Sequence, residues 1–285
     1  MASPGERLVG LPEELKKSAV FLCCKDIDSC RPEGTAFLLG MPTTDPNVNA
    51  FYLVTAKHVI DDIPKRGTAD SFIYARINPI EGRTAIDPIK SSPDDWLTHP
   101  TDQSDIAVIP FRAPLAHDYD VVALSTSIAL THEAIEKEQI GVGDDVFTIG
   151  LFVKHTGRLR DVPIVRTGNI AMMHEDIGDM EAFLVEARSI GGLSGSPVFV
   201  RANPFLGNSL NIKPQPFFWL GIHHGAWHTS RTVDAASDEF AGMHMGIGIV
   251  IPAWKVMEVL NQPALARQRE ELVREHRDSN RPVPD

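Results

Sequence analysis

Three short segments of the 285-residue chain hold residue types able to carry out acyl transfer. His58 follows an apolar run in Thr55-Ala56-Lys57-His58-Val59, and Asp105 opens another in Ser104-Asp105-Ile106-Ala107-Val108. Ser194 lies in the small-residue turn Gly192-Leu193-Ser194-Gly195-Ser196-Pro197. A serine hydroxyl is a poor nucleophile at neutral pH; it needs a base within hydrogen-bond reach, and the base needs an acceptor that fixes its tautomer. Ser194, His58 and Asp105 fit those roles in that order. The backbone N–H groups of Gly192 and Ser194 would point at the developing oxyanion, each donor contributing on the order of 3 kcal/mol to the transition state. Singly, each segment has a plain structural explanation: a strand-end histidine, a turn-capping aspartate, a tight Gly-x-Ser-Gly turn. Their conjunction, in the order His, Asp, Ser, with 47 residues between the first two and about 90 between the last two, carries the catalytic reading.

The elements around these segments are short. Five strand-like runs precede residue 112 (SAVFLCC, GTAFLLG, AFYLVTA, SFIYARI and DIAVIPF), rich in β-branched and aromatic residues and separated by turn formers. Six more follow Gly143: DDVFTIGLF, PIVRTGNIAMM, EAFLVEA, SPVFV, FFWLGIHHG and GIGIVI. Two sets of about six such strands predict an all-β chain of sandwich or barrel type with a C-terminal helix. The expected boundaries are an N-terminal extension over 1–17 and a catalytic unit over 18–262. Within that unit, the first strand set covers about 18–114, a connector 115–140 with a short helix near 131–138, the second strand set about 141–252 and the helix 252–262. Residues 263–285 read as a charged helical or disordered tail whose Arg/Glu-rich stretch presents a solvated face. The segments 201–217 and 227–243 are long for hairpin connections and suit a cleft rim.

Composition narrows the function classes. Hydrophobic residues make up 43% and charged residues 23%, which fits a folded globular chain. The net charge of −11 argues against a nucleic-acid partner, since such proteins displace counterions with a positive field. Cys23, Cys24 and Cys30 are odd in number and lack CxxC spacing, so reduced thiols in a cytoplasmic protein are expected rather than a disulfide frame. No basic-then-apolar leader and no apolar run near 20 residues is present, so no membrane association is expected. His223, His224 and His228 form HHxxxH with His244 nearby, but GIHHGAW reads as a strand, and HxxxH needs a helix to bring its rings to one face. No metal and no other cofactor is therefore expected.

These motifs resemble those of the trypsin/chymotrypsin-fold serine peptidases over residues 18–260. TAKHV is similar to the family's TAxHV box, SDIAVI to its DIAL box and GLSGSP to its GDSGGP box. Gly34-Thr35-Ala36-Phe37 resembles the GSGF strand of the bacterial HtrA-like members, and the run from Gly246 to Pro252 their closing GIGFAIP strand; no PDZ-like segment follows. Ser194-Gly195-Ser196-Pro197-Val198 and Gly221-Ile222-His223-His224-Gly225 resemble the SGSPV and GIH motifs of glutamyl endopeptidases of the V8 type. The resemblance implies that the two strand sets form two six-stranded antiparallel β-barrels, and that the chain is a serine endopeptidase acting on protein or peptide substrates, with His58, Asp105 and Ser194 as triad and Gly192 and Ser194 as oxyanion hole. It also implies that His223 and Ser189, with Arg188 beside them, read the P1 side chain, and an imidazole donor favours Glu, Gln or Asp there. Leu193 replaces the aspartate of trypsin-like zymogens, which argues against activation by a new N-terminal amine. Two other readings stand beside this one: a silent protease fold used as a binding or effector module, and a latent enzyme requiring an unknown activating partner.

Overall fold

The computed structural model describes residues 11–27, 29–67, 69–80, 88–101, 103–112, 118–153, 155, 160–177, 180–187, 191–202, 217–226 and 246–280. Each of the eleven strand-like runs forms a strand. The first half comprises β1 (Ala19–Lys25), β2 (Cys30–Pro42), β3 (Asn49–Thr55), β4 (Ile73–Arg76), β5 (Ile89–Ser91), β6 (Leu97–Thr98), β7 (Ala107–Phe111) and β8 (Leu124–Ser125). They pair along the path β5-β4-β1-β2-β3-β7-β6, and β8 adds to β2 in parallel. The second half comprises β9 (Asp145–Gly150), β10 (Ile164–Ile177), β11 (Met180–Glu186), β12 (Pro197–Arg201), β13 (Phe217–Ala226) and β14 (Ile247–Pro252). Here β9 pairs with both β10 and β12, closing the circuit β10-β11-β14-β13-β12-β9.

Two expectations are corrected. The first sheet has eight strands on an open path, not six in a barrel, because β5, β6 and β8 are two or three residues long. Runs that short carry no readable alternation. Nor is the chain all-β, since five α-helices are present among the described residues: α1 (Glu13–Lys16), α2 (Lys57–Arg66), α3 (His132–Glu138), α4 (Ala253–Leu260) and α5 (Pro263–Ser279). The short helix expected near 131–138 is α3, capped by the Thr131 hydroxyl, which accepts from Ala134 N. Pro252 stands at the N-cap of α4, one position before its expected place.

Burial explains how the halves meet. One core cluster takes Phe37, Tyr52, Val54 and Val108 from the first sheet and Phe147, Phe199, Trp219 and Ile251 from the second. Val256, Val259 and Leu260 of α4 and Leu265 of α5 complete it. The stretch expected to present a solvated face is thus only half solvated: Leu265 and Val273 are buried, and Arg269 Nη1 donates to Tyr52 Oη at 3.0 Å and to the Leu260 carbonyl at 2.8 Å. Residues 281–285 of the expected tail and most of both long connections, 203–216 and 227–245, lie outside the described residues.

Candidate active site

His58 is placed by a helix rather than by a strand end. Strand β3 stops at Thr55, and α2 begins two residues later with His58 in its first turn. The sequence supports the helix through one apolar face, Val59, Ile60 and Ile63, buried against the first sheet, while Lys57, Asp61, Asp62, Lys65 and Arg66 take the other side. Gly34 on β2 makes the approach possible, because a Cβ there would lie 2.5 Å from a Val59 methyl. The N-cap, Ala56, has no side chain to satisfy the first N–H groups. Asp105 does so from the loop before β7: its Oδ1 accepts from the His58 backbone N–H at 2.7 Å, and its Oδ2 lies 2.5 Å from His58 Nδ1. One carboxylate therefore caps the helix and orients the imidazole that the helix carries.

The charges follow from this contact. Burial alone would lower the His58 pKa, but the hydrogen bond and charge of Asp105 outweigh it, and the value is raised from 6.5. Burial would raise that of Asp105, yet hydrogen bonds from His224 and His58 hold its carboxyl well below the usual range. The contact thus sets an ionised carboxylate against imidazole Nδ1–H, and in the neutral ring this leaves His58 Nε2 as the acceptor.

Ser194 sits in a turn built by two left-handed glycines, Gly192 at φ +96° and Gly195 at φ +84°. At Gly195 a side chain is sterically excluded: its Cβ would meet the Thr35 carbonyl at 2.1 Å and Thr55 Oγ1 at 2.2 Å. Thr35 holds the turn from the other sheet. Its Oγ1 donates to the Gly192 carbonyl at 2.7 Å and accepts from Leu151 N at 2.8 Å, while its N–H donates to the Ser194 carbonyl at 3.0 Å. Neither the Gly192 nor the Ser194 amide donates a hydrogen bond among the described residues. Ser194 is half-buried, whereas Ser196 is fully buried with its hydroxyl against Gly150. Of the two serines in the motif, Ser194 is the accessible one.

His58 and Asp105 are brought into direct contact, and Ser194 joins them through a fourth residue. The Ser194 hydroxyl donates to the carbonyl of His224 at 3.2 Å, and His224 Nδ1 lies 2.5 Å from the same Asp105 Oδ2. The two imidazoles stand edge to face, 5.4 Å between centroids. His58, Asp105 and His224 also offer ligand atoms for a cation. The two 2.5 Å separations are hydrogen-bond lengths, shorter than the roughly 3.3 Å between two N/O ligands of a tetrahedral ion. His223 is only 2% exposed, and burial, followed by the neighbouring His224 and His58, pushes its pKa down to about 4, so its ring is neutral at pH 7. Ser189 and Arg188, the other expected P1 readers, lie outside the described residues, as do His228 and His244.

Sequence reasoning missed the roles of Thr35, Thr55 and His224. The HH pair was the available signal for His224; for Thr35 the signal was the GTAF motif, without its partners on the other sheet.

No protein-family model matches the chain, and no curated protein matches it. Among solved structures it is similar to the MamO protease domain from Magnetospirillum magneticum in its apo form, at 13% identity and a TM-score of 0.49 over 87% of this chain and 97% of that one. It is also similar to the Rv3671c protease in an inactive form, at 19% identity and a TM-score of 0.43 over 91% and 96%. An inactive serine-to-alanine mutant of Rv3671c from M. tuberculosis matches at 16% identity and a TM-score of 0.43 over 99% and 98%. No helix among the described residues is long and apolar enough to cross a membrane.

Proposed function

We propose that the chain is a serine endopeptidase that hydrolyses peptide bonds through an acyl-enzyme. The observation that carries this reading is the 2.5 Å contact of His58 Nδ1 with Asp105, beside an accessible serine in a two-glycine turn. Catalysis requires the Ser194 hydroxyl to leave the His224 carbonyl by a χ1 rotation and donate to His58 Nε2, the tightening that accompanies formation of a substrate complex. Ser194 Oγ then bonds to the scissile carbonyl carbon as its proton passes to His58, and the Gly192 and Ser194 amides receive the oxyanion. Cleavage of the C–N bond returns that proton to the leaving amine. Water, deprotonated by His58, then releases the acid and restores Ser194. His223, with Ser189 and Arg188, reads P1. Because the His223 ring is neutral at pH 7, it acts as a hydrogen-bond donor, which accepts Glu, Gln or Asp without demanding a charge.

The resting bond of Ser194 to His224 favours one second reading, a latent or inactive protease fold serving as the effector arm of an assembly. Labelling by a fluorophosphonate probe separates the two. The isolated wild-type chain and Ser196→Ala should label and Ser194→Ala should not; an unlabelled wild type transfers the assignment to the latent reading, and a labelled Ser194→Ala ends both. Cleavage of a diverse peptide library with mass-spectrometric detection checks the P1 pocket, where cuts confined to Lys or Arg would remove His223 from it.

A further inference from the structure

A second constellation lies on the far part of the closed sheet. We propose that His132, His174 and Glu181 form a site for a zinc-class divalent cation, which fastens the connector helix α3 to the barrel. The three residues come from the first turn of α3, from β10 and from β11. Their candidate ligand atoms all lie within 4.8 Å of one another. Two distances match coordination. His174 Nδ1 is 3.1 Å from Glu181 Oε1, an ion-pair contact that also lies close to the roughly 3.3 Å between neighbouring ligands of a tetrahedral ion. The His132 and His174 rings stand 5.1 Å apart between centroids, and two imidazoles each giving one nitrogen to a single tetrahedral ion place their centres about 5 Å apart.

The surroundings orient the set. Trp254 Nε1 donates to Glu181 Oε2 at 3.2 Å, and Lys255 Nζ lies 3.8 Å from the same oxygen, so Oε1 is the one left facing the histidines. Ligating carboxylates are commonly fixed by such outer hydrogen bonds. The Trp254 ring packs on both imidazoles, at 4.4 Å from His132 and 5.2 Å from His174, and Phe183 closes the inner side of His174 at 5.6 Å. Exposed His132 gives an ion access from solvent. Two nitrogens and one carboxylate suit Zn²⁺ and its Co²⁺ substitute, with water in the fourth position. Bound there, the ion would link α3 to β10 and β11 beside α4, restraining the connector between the two sheets.

Visible spectroscopy of the full chain, stripped of metal and titrated with Co²⁺, tests the site. One equivalent should produce the intense d–d absorption of tetrahedral cobalt, and Zn²⁺ should displace it while raising the melting temperature. His132→Ala, whose side chain is exposed, should fold normally by circular dichroism yet lose at least tenfold in Co²⁺ affinity, and Glu181→Gln should do the same. His224→Ala should keep the band. No tetrahedral band in the wild type would overturn the proposal. So would a band that survives His132→Ala and disappears in His224→Ala, since the ion would then sit at the candidate active site.

Discussion

Thr35 links residues that no local pattern connects. Its hydroxyl takes the Leu151 N–H and gives its own hydrogen to the Gly192 carbonyl, 157 residues further along the chain, and its carbonyl accepts from Thr55 Oγ1 at 2.7 Å. The Gly192–Leu193 peptide held in this way lies between the two proposed oxyanion donors, the amides of Gly192 and Ser194. Thr35→Val keeps the shape but leaves a buried donor and an acceptor unsatisfied, so a loss of about 2–4 kcal/mol of stability is expected in urea denaturation. If Thr35 positions the oxyanion donors, kcat should fall more than KM rises; a pure stability loss with unchanged kcat would reduce it to a structural residue. His58, Asp105 and Ser194 could be proposed from residue type, order and spacing alone, because the chemistry proposed for them resides in the side chains themselves. Thr35, Thr55 and His224 could not, because a hydroxyl or an imidazole acquires such a role only through partners that the fold brings from the other sheet.

Strands were the legible elements and α2 was not, for a physical reason. The eleven recognised runs are mostly apolar stretches of strand-forming residues between turn formers, whereas α2 lacks a capping side chain at Ala56 and carries Pro64 inside. Its N-terminus is completed by Asp105, 47 residues away, so the start signal is tertiary. Two variants separate the capping role of Asp105 from the catalytic one proposed for it. Asp105→Asn keeps a side-chain oxygen for the His58 N–H but loses the acceptor that fixes the imidazole tautomer. Its activity should fall on the order of 10⁴-fold while stability changes little. Asp105→Ala removes both functions and should cost a further 1–2 kcal/mol or so, the usual worth of a helix cap or an anion at a helix N-terminus. Thermal unfolding and kcat measured on both proteins decide it: equal melting temperatures for the two variants would show that Asp105 does not support α2.

At the scale of the molecule, both sheets, α4 and α5 share one apolar cluster, so a buried ionisable group on either sheet reports on the stability of the whole. The net charge of −11 gives a long-range field that repels acidic peptides, so the proposed selection of an acidic P1 residue would have to come from local groups such as His223. The burial of that ring has a consequence for folding. His223 titrates at about 4 when folded and near 6.5 when unfolded. Between these values the unfolded chain binds a proton that the folded chain does not, so stability increases with pH across the window and is lost as pH falls from 6.5 toward 4. The contribution is on the order of 3 kcal/mol for a shift of this size. Asp161, pushed up to about 6 by burial despite its Arg76 partner, acts in the opposite sense, gaining stability as pH falls below 6. A difference measurement isolates the histidine. His223→Gln should be less stable than wild type at pH 7 through lost packing, but the gap in unfolding free energy should shrink by about 2–3 kcal/mol between pH 7 and pH 4, since Asp161 titrates in both proteins. Parallel stability curves for the two proteins across that range would mean that His223 takes up its proton as readily in the folded as in the unfolded chain, and burial of the ring would then contribute nothing to the pH dependence.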